Sequence, residues 1–376
     1  MSVNSALYCP RIQGMVNFTS KANSTAAGTT PLGAFTIFLH GLFSTIGIVE
    51  NLLILIVVGL QVRRSVISIW ILNLAASDLL ATASLPAFTL FLARGKTWEL
   101  GRTFCRVHSS VFFLNMFVSG FLLAAISLDR CLVVLKPVWA QNYRTTRLAL
   151  KICGSLWFLA FACTIPFYIF RDAIPQRSGK TQCYYHYARW LPNQPFDVAA
   201  LCKYREKTLA IFKLMFAFVI PLVIIILSYI VVNTSLARRG CRRSYRFVRL
   251  VIAVVVSFVI CWAPYHLLSV MEVITPLTHP SQMAIAKALP SAASVGFLNS
   301  VLNPILYVFS CPDLCTKIRH SLSAVMETVL AEDLAEFARR RSTMRSSDMA
   351  GTCRGRKIHN LNIFKLRIVP LNRAIK

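Results

Sequence analysis

The chain has 376 residues with 41 Lys+Arg against 14 Asp+Glu, a formal net charge of +27, yet only 15% of its residues are charged and 56% are hydrophobic. A nucleic-acid binder has such a charge but not a mean hydropathy of +0.59; a disordered chain lacks the apolar mass, and Gly 15 with Pro 16 excludes a collagen-like fibre. What is left is a polytopic membrane protein with basic loops, whose 12 cysteines are too few for a disulfide scaffold and enough for one or two bridges on an oxidising face.

Residues 1–34 are polar and carry two N-glycosylation sequons, at Asn17 and Asn23, which place the N-terminus outside. No basic stretch leading to a short apolar run and a cleavage site precedes residue 34, so the first span is expected to act as the targeting signal. Apolar runs follow at 35–62, 67–93, 107–135, 148–170, 208–236, 247–274 and 283–309. Each covers the roughly 20 residues that a helix needs to cross hydrocarbon. Helices are required because lipid cannot satisfy free backbone groups. Pro86, Pro166, Pro221, Pro264 and Pro304 interrupt these runs and predict kinks. The expected fold is therefore all-α, a seven-helix transmembrane bundle over 35–309, with the C-terminus in the cytoplasm. Residues 310–326 place Leu314, Ile318, Leu322 and Val325 on one face, as in an amphipathic helix on the inner membrane surface. Cys311 and Cys315 are either palmitoylated or unmodified there. The tail, 327–376, is basic, Ser/Thr-containing and expected to be disordered. The outer segments carry as many Lys/Arg as the inner loops through residue 322, so the usual inner bias appears only when the tail is counted.

Ionisable groups inside a span are costly and mark function. Asp78 lies mid-span, with Asn115 and Ser119 in span three and Asn299 and Asn303 in span seven; this set suits either a small hard cation or a polar network that fixes helix packing. Asp129 and Arg130 are adjacent at the inner end of span three and can neutralise each other. Trp262 and Pro264 pair a bulky ring with a kink, as a pivot or as packing. Lys213 stands among Ile211, Phe212, Leu214, Met215 and Phe216. It either pairs with Glu272 or faces an anionic ligand, and the basic outer face favours the ligand.

These landmarks resemble the rhodopsin-like (class A) G-protein-coupled receptors over residues 35–326. The motifs are Gly47-Ile48-Val49-Glu50-Asn51, Leu74-Ala75-Ala76-Ser77-Asp78, Cys105, Ser127-Leu128-Asp129-Arg130-Cys131 and Trp157. Pro221 with Tyr229, Cys261-Trp262-Ala263-Pro264 and Asn303-Pro304-Ile305-Leu306-Tyr307 complete them in order. Cys131 and Asn303 stand where Tyr and Asp are commoner, and the family tolerates both variants. Trp98-Glu99-Leu100-Gly101, Cys183-Tyr184-Tyr185 and the run His108–Phe117 look like the chemoattractant branch, in particular its members for prostanoid carboxylates.

The resemblance implies a plasma-membrane receptor that binds a lipid carboxylate and acts through inhibitory G proteins and arrestin, with membrane lipids around it. It implies a carboxylate site at Arg171, Tyr184, Lys213 and Tyr265, and an apolar lining from Phe88, His108, Phe112, Tyr185 and Leu289. It assigns activation to Asp129, Arg130, Tyr229, Trp262, Pro264, Asn303, Pro304 and Tyr307. It makes Asp78, Asn115, Ser119, Asn299 and Asn303 a sodium site, with no other cofactor. Cys105 and Cys183 would form the family's common disulfide. Cys9 and Cys202 both lie outside, where a second bridge is allowed but its pairing is open. A receptor for an anionic chemotactic peptide is the alternative. A transporter would tend to show internal repeats, and no nucleophile–base or metal-ligand spacing indicates an enzyme.

Overall fold

The computed structural model describes residues 8–17, 31–61, 64–95, 97–190, 197–238 and 245–310, with side chains throughout except at 14–17, 31–33, 61, 245–252 and 307–310. Asn23, the Tyr307 side chain, the amphipathic segment after residue 310 with Cys311 and Cys315, and the tail lie outside the described residues. A short helix, α1 (Pro10–Asn17), precedes the first span, α2 (Pro31–Ile56). There follow α3 (Val66–Ala93), α4 (Gly101–Leu135), a short loop helix α5 (Pro137–Tyr143) and α6 (Thr146–Phe170). The hairpin β1 (Arg171–Pro175) and β2 (Thr181–Tyr185) comes next. Span five is α7 (Val198–Leu214) continued by α8 (Ile220–Arg238), then α9 (Tyr245–Ile274) and α10 (Ser281–Ser310) form spans six and seven.

The described residues hold seven helices long and apolar enough to cross a membrane. The expected all-α bundle stands, with one hairpin added outside it. Every span begins before its apolar run, and spans three and five do so by the most. Span three starts at Gly101 rather than 107, and span five at Val198 rather than 208. Hydropathy marks the lipid-facing length of a helix, whereas its start is set by backbone capping. Asp197 accepts hydrogen bonds from the Ala199 and Ala200 amides at 2.9 and 3.2 Å, so Lys203, Arg205, Glu206 and Lys207 belong to the helix ahead of its apolar run. At the start of span two Ser65 and Ser68 cap the helix reciprocally, side chain to amide, at 3.2 and 2.7 Å.

Pro221 cannot donate to the helix ladder. Just before it the chain opens a π turn, Met215–Val219, in which the Ile220 amide reaches the Met215 carbonyl. One extra residue rotates the outer half of the span by about 100° relative to the inner half, with Lys213 in the turn that precedes it. Spans three and five approach closely beside the π turn: a Cβ on Gly120 would sit 3.0 Å from the Ala217 carbonyl oxygen.

The core is a continuous cluster along the bundle axis that includes Leu74, Leu85, Phe113, Met116, Phe117, Leu122, Ile225, Phe258 and Trp262. Two disulfides fasten the end of the bundle that carries the hairpin. Cys105–Cys183 ties the hairpin to span three and Cys9–Cys202 ties α1 to the head of span five, with Cα–Cα separations of 5.6 and 5.8 Å. The open pairing of Cys9 is thereby settled. Arg11 of α1 also bonds Glu206 at 2.5 Å, one turn along from Cys202. Asn17 closes α1 with its side chain outside the described set.

Candidate functional site

Hairpin register and helix periodicity bring the cationic groups together. Span four ends at Phe170 and the chain turns into β1, pairing Arg171 with Tyr185 and Asp172 with Tyr184. The Arg171 guanidinium lies over the Tyr185 ring, 4.6 Å from its centroid. On span six Trp262, Tyr265, Ser269 and Glu272 recur at spacings of three and four and so share one face.

Lys213 reaches that face. It is 4% exposed, and its ammonium donates to Ser269 Oγ at 2.6 Å and Tyr265 Oη at 3.4 Å. It also lies over the rings of Tyr265 and Phe113, at 4.8 and 5.7 Å. The alternative pairing with Glu272 is not made: no carboxylate lies within ion-pair distance of Lys213 among the described residues. Glu272 instead accepts from the Tyr184 hydroxyl at 2.5 Å. Burial first, and then the Glu272 carboxylate, hold that hydroxyl well above its ordinary pKa, so it remains a donor. The charges of Glu272 and Arg171 both act on Lys213. Together the three leave one unit of positive charge in a buried, aromatic setting. A buried cation satisfied by hydroxyls and ring faces alone suits an incoming carboxylate.

An aromatic wall extends from this charge. Phe112 contacts Tyr265 at 5.3 Å, Phe297 at 5.3 Å and Trp262 at 5.9 Å. Phe88 stacks on His108 at 5.9 Å and on His40 at 5.5 Å, and His108 meets Trp98 at 5.7 Å. Leu289 is half-buried against the core. All nine sequence-assigned ligand residues are buried or half-buried. Sequence reasoning missed Ser269, Phe113, Trp98 and Phe297 as site residues. Ser269 was legible from the three-four spacing after Trp262 and Tyr265; the others follow only from how the helices face each other.

Deeper in the bundle Asp78 accepts from Asn115 Nδ2 at 2.9 Å and from Asn303 Nδ2 at 2.8 Å. Asn115 Nδ2 also faces Ser77 Oγ at 3.0 Å and Ser119 Oγ at 3.4 Å, and Ser300 Oγ donates to Asn115 Oδ1 at 3.4 Å. Asn299 is buried, and its Nδ2 has no partner among the described residues. One carboxylate with the Ser77, Ser119 and Ser300 hydroxyls in the same network offers oxygens to a small hard cation, while Asn115 and Asn303 turn their amide nitrogens toward Asp78.

At the inner end the adjacent Asp129–Arg130 pair expected from the sequence is not formed. Asp129 is held bidentately by Arg144, with Nε and Nη2 each 2.7 Å from a carboxylate oxygen. Neighbouring side chains on a helix diverge by about 100°, whereas α5 carries Arg144 back beneath span three, and its planar fork matches the carboxylate. Arg130 and Ser127 neighbour Tyr229. Trp262 is fully buried beside Gly296, where a Cβ would sit 3.0 Å from the indole. Pro264 and Pro304 lie inside their helices.

Residues 50–307 match the family described as 7 transmembrane receptor (rhodopsin family), and the chain belongs to that family. It is a multi-pass membrane protein of the receptor class that the motifs indicated. Among its relatives, prostaglandin D2 receptor 2 of Mus musculus is 49% identical over 344 residues, covering 92% of this chain and 89% of that protein. The Rattus norvegicus protein of the same name is 50% identical over 325 residues, covering 86% and 79%. N-formyl peptide receptor 2 of Homo sapiens is 34% identical over 315 residues, covering 82% and 89%.

Proposed function

We propose that this receptor binds prostaglandin D2 and related prostanoid carboxylates at the outer half of the bundle. It signals from the plasma membrane through inhibitory G proteins in the chemotaxis of immune cells, and arrestin ends the signal. The observation that carries the reading is Lys213, buried with hydroxyl partners and no carboxylate within ion-pair distance among the described residues. The similarity to prostaglandin D2 receptor 2 supports the same ligand class.

The mechanism is a shift of population between two arrangements of the bundle. Arg171 and Lys213 hold the ligand carboxylate, and Tyr184 and Tyr265 supply hydroxyls beside it. The hydrocarbon chains press on Phe112 and Trp262. Span six pivots at Pro264, its inner end swings outward, and Arg130 meets the G protein with Tyr229 in support. With the N-terminus outside, disulfides tie α1 to the head of span five and the hairpin to span three, an arrangement better suited to a lipid than to a peptide that needs a wide vestibule. Asp78, Asn115, Ser119, Asn299 and Asn303 would hold a sodium ion, whose charge would favour the inactive arrangement.

The test is a prostanoid agonist screen in cells that express the full chain, read as inhibition of cyclic AMP formation. Prostaglandin D2 is expected to be active. Silence to it together with a response to formylated peptides would transfer the receptor to the peptide class.

A further inference from the structure

The turn of span six between the anion anchor and Trp262 carries a polar group that the carboxylate site does not use. His266 is 1% exposed, and neither Nδ1 nor Nε2 has a hydrogen-bond partner among the described residues. The ring is clamped by aromatics. It stacks on Phe218 of the π turn with centroids 5.3 Å apart, and meets Tyr265 edge-on at 5.8 Å. Phe218 in turn stacks on Phe258 at 5.7 Å, so the imidazole packs between spans five and six. Lys213 is close enough to act on the ring through its charge.

The spacing fixes where this imidazole stands. His266 is three residues before Ser269, which holds Lys213, and four after Trp262, which packs on Phe112. Those three residues share a helix face, and His266 is one turn deeper than the ammonium. Buried polar groups are ordinarily paired. Two unpaired nitrogens at this depth call for a partner supplied from outside the chain, and a neutral imidazole offers one donor and one acceptor.

We propose that His266 is the contact for an uncharged oxygen, hydroxyl or keto, of the bound lipid, one turn below its carboxylate. This rests on the prostanoid reading and deepens it. The carboxylate anchor selects any fatty acid of suitable length, whereas His266 selects among those that carry an oxygen at the right distance along the molecule. A second carboxylate does not fit the role, because Lys213 and Arg171 already meet the first.

The test is competition binding on the full-length receptor in membranes. The ligands are prostaglandin D2 and analogues that each lack one of its hydroxyl or keto oxygens. On the unaltered receptor one analogue is expected to bind about tenfold more weakly, the value of one neutral hydrogen bond. His266→Phe keeps the stack on Phe218 and removes both nitrogens. It should abolish that one penalty and leave the others as they were. His266→Gln keeps a donor and an acceptor and should restore part of the discrimination, which separates loss of the contact from loss of the fold. Penalties that His266→Phe leaves unchanged for every analogue would overturn the proposal and mark the site as one for bound water. If the unaltered receptor binds prostaglandin D2 no better than a saturated fatty acid, the prostanoid reading itself falls, and this inference with it.

Discussion

Lys213 is the sharpest place to test the anion site. Lys213→Met keeps the apolar stem and removes the charge, with Ser269 and Tyr265 left to bond each other or water. A hydrogen bond to a charged group is worth about 1.5–3 kcal/mol, so an acid ligand is expected to lose about 10- to 150-fold in affinity. Arg171→Gln removes the second cation and should cost the acid a similar factor. The two losses are not expected to add, because both residues serve one carboxylate. The ester of the same ligand offers neither charge a partner. It should bind the unaltered receptor weakly and change less than about threefold in either variant. Competition binding against a labelled ligand, run on acid and ester in parallel, gives the ratio directly. In the double variant the acid and the ester should converge. Equal losses for acid and ester in the single variants would show that Lys213 acts by packing, and would refute the assignment.

Three further outcomes are expected. Arg144→Ala releases the Asp129 carboxylate, for which Arg130 is the adjacent cation; agonist-driven G-protein activation should fall severalfold and recover when Asp129→Asn is added, whereas Arg130→Ala should abolish activation with ligand binding kept. Loss of the Cys9–Cys202 bridge, which closes a separation of 193 residues, should lower stability by about 2–4 kcal/mol in a thermal unfolding assay. The same Cys9→Ser, Cys202→Ser variant should speed both ligand association and dissociation, and an unchanged dissociation rate would argue against α1 as a cover. Replacing potassium by sodium at constant ionic strength should weaken agonist binding, and Asp78→Asn should remove that sensitivity.

Much of this architecture was legible because lipid imposes one rule: a segment that crosses must be long, apolar and helical. The same rule made Lys213 conspicuous, since an ammonium in such a run needs a reason. It could not show that Ser269 and Tyr265 rather than Glu272 receive it, because that depends on which face of span six turns toward span five. The Asp129–Arg144 clamp was hidden for a similar reason: 15 residues separate the partners, and only the return of α5 brings them together. The eight residues of α1 were hidden differently. Isolated helices that short are not stable in water, and α1 owes its place to Cys9, Arg11 and the buried Ile12. The first turns of span five were missed because a charged stretch of helix has no hydropathy signal.

The basic outer face, first read as an attraction for an anionic ligand, divides into two populations with different kinetic roles. Many of its cations are structural. Arg102 and Arg189 share Asp172 at 2.6 and 3.2 Å. Arg205 donates to the carbonyls of Tyr187 and Arg189, both at 2.8 Å. Arg106 donates to the Arg171 carbonyl at 2.9 Å. Arg177, Lys203, Lys207 and Lys287 are exposed. Exposed charges steer a ligand through solvent and are screened beyond about 10 Å at 0.1 M salt, whereas buried ones decide how long it stays. Raising ionic strength with choline chloride, which leaves the cation site aside, should therefore lower the association rate of the acid ligand and leave its dissociation rate nearly constant. Lys203→Gln with Lys207→Gln should flatten the salt dependence of association without changing dissociation, and Lys213→Met should do the reverse. If salt moved the dissociation rate as strongly as the association rate, the carboxylate would have to lie in solvent reach, and a buried anchor at Lys213 would be the wrong picture.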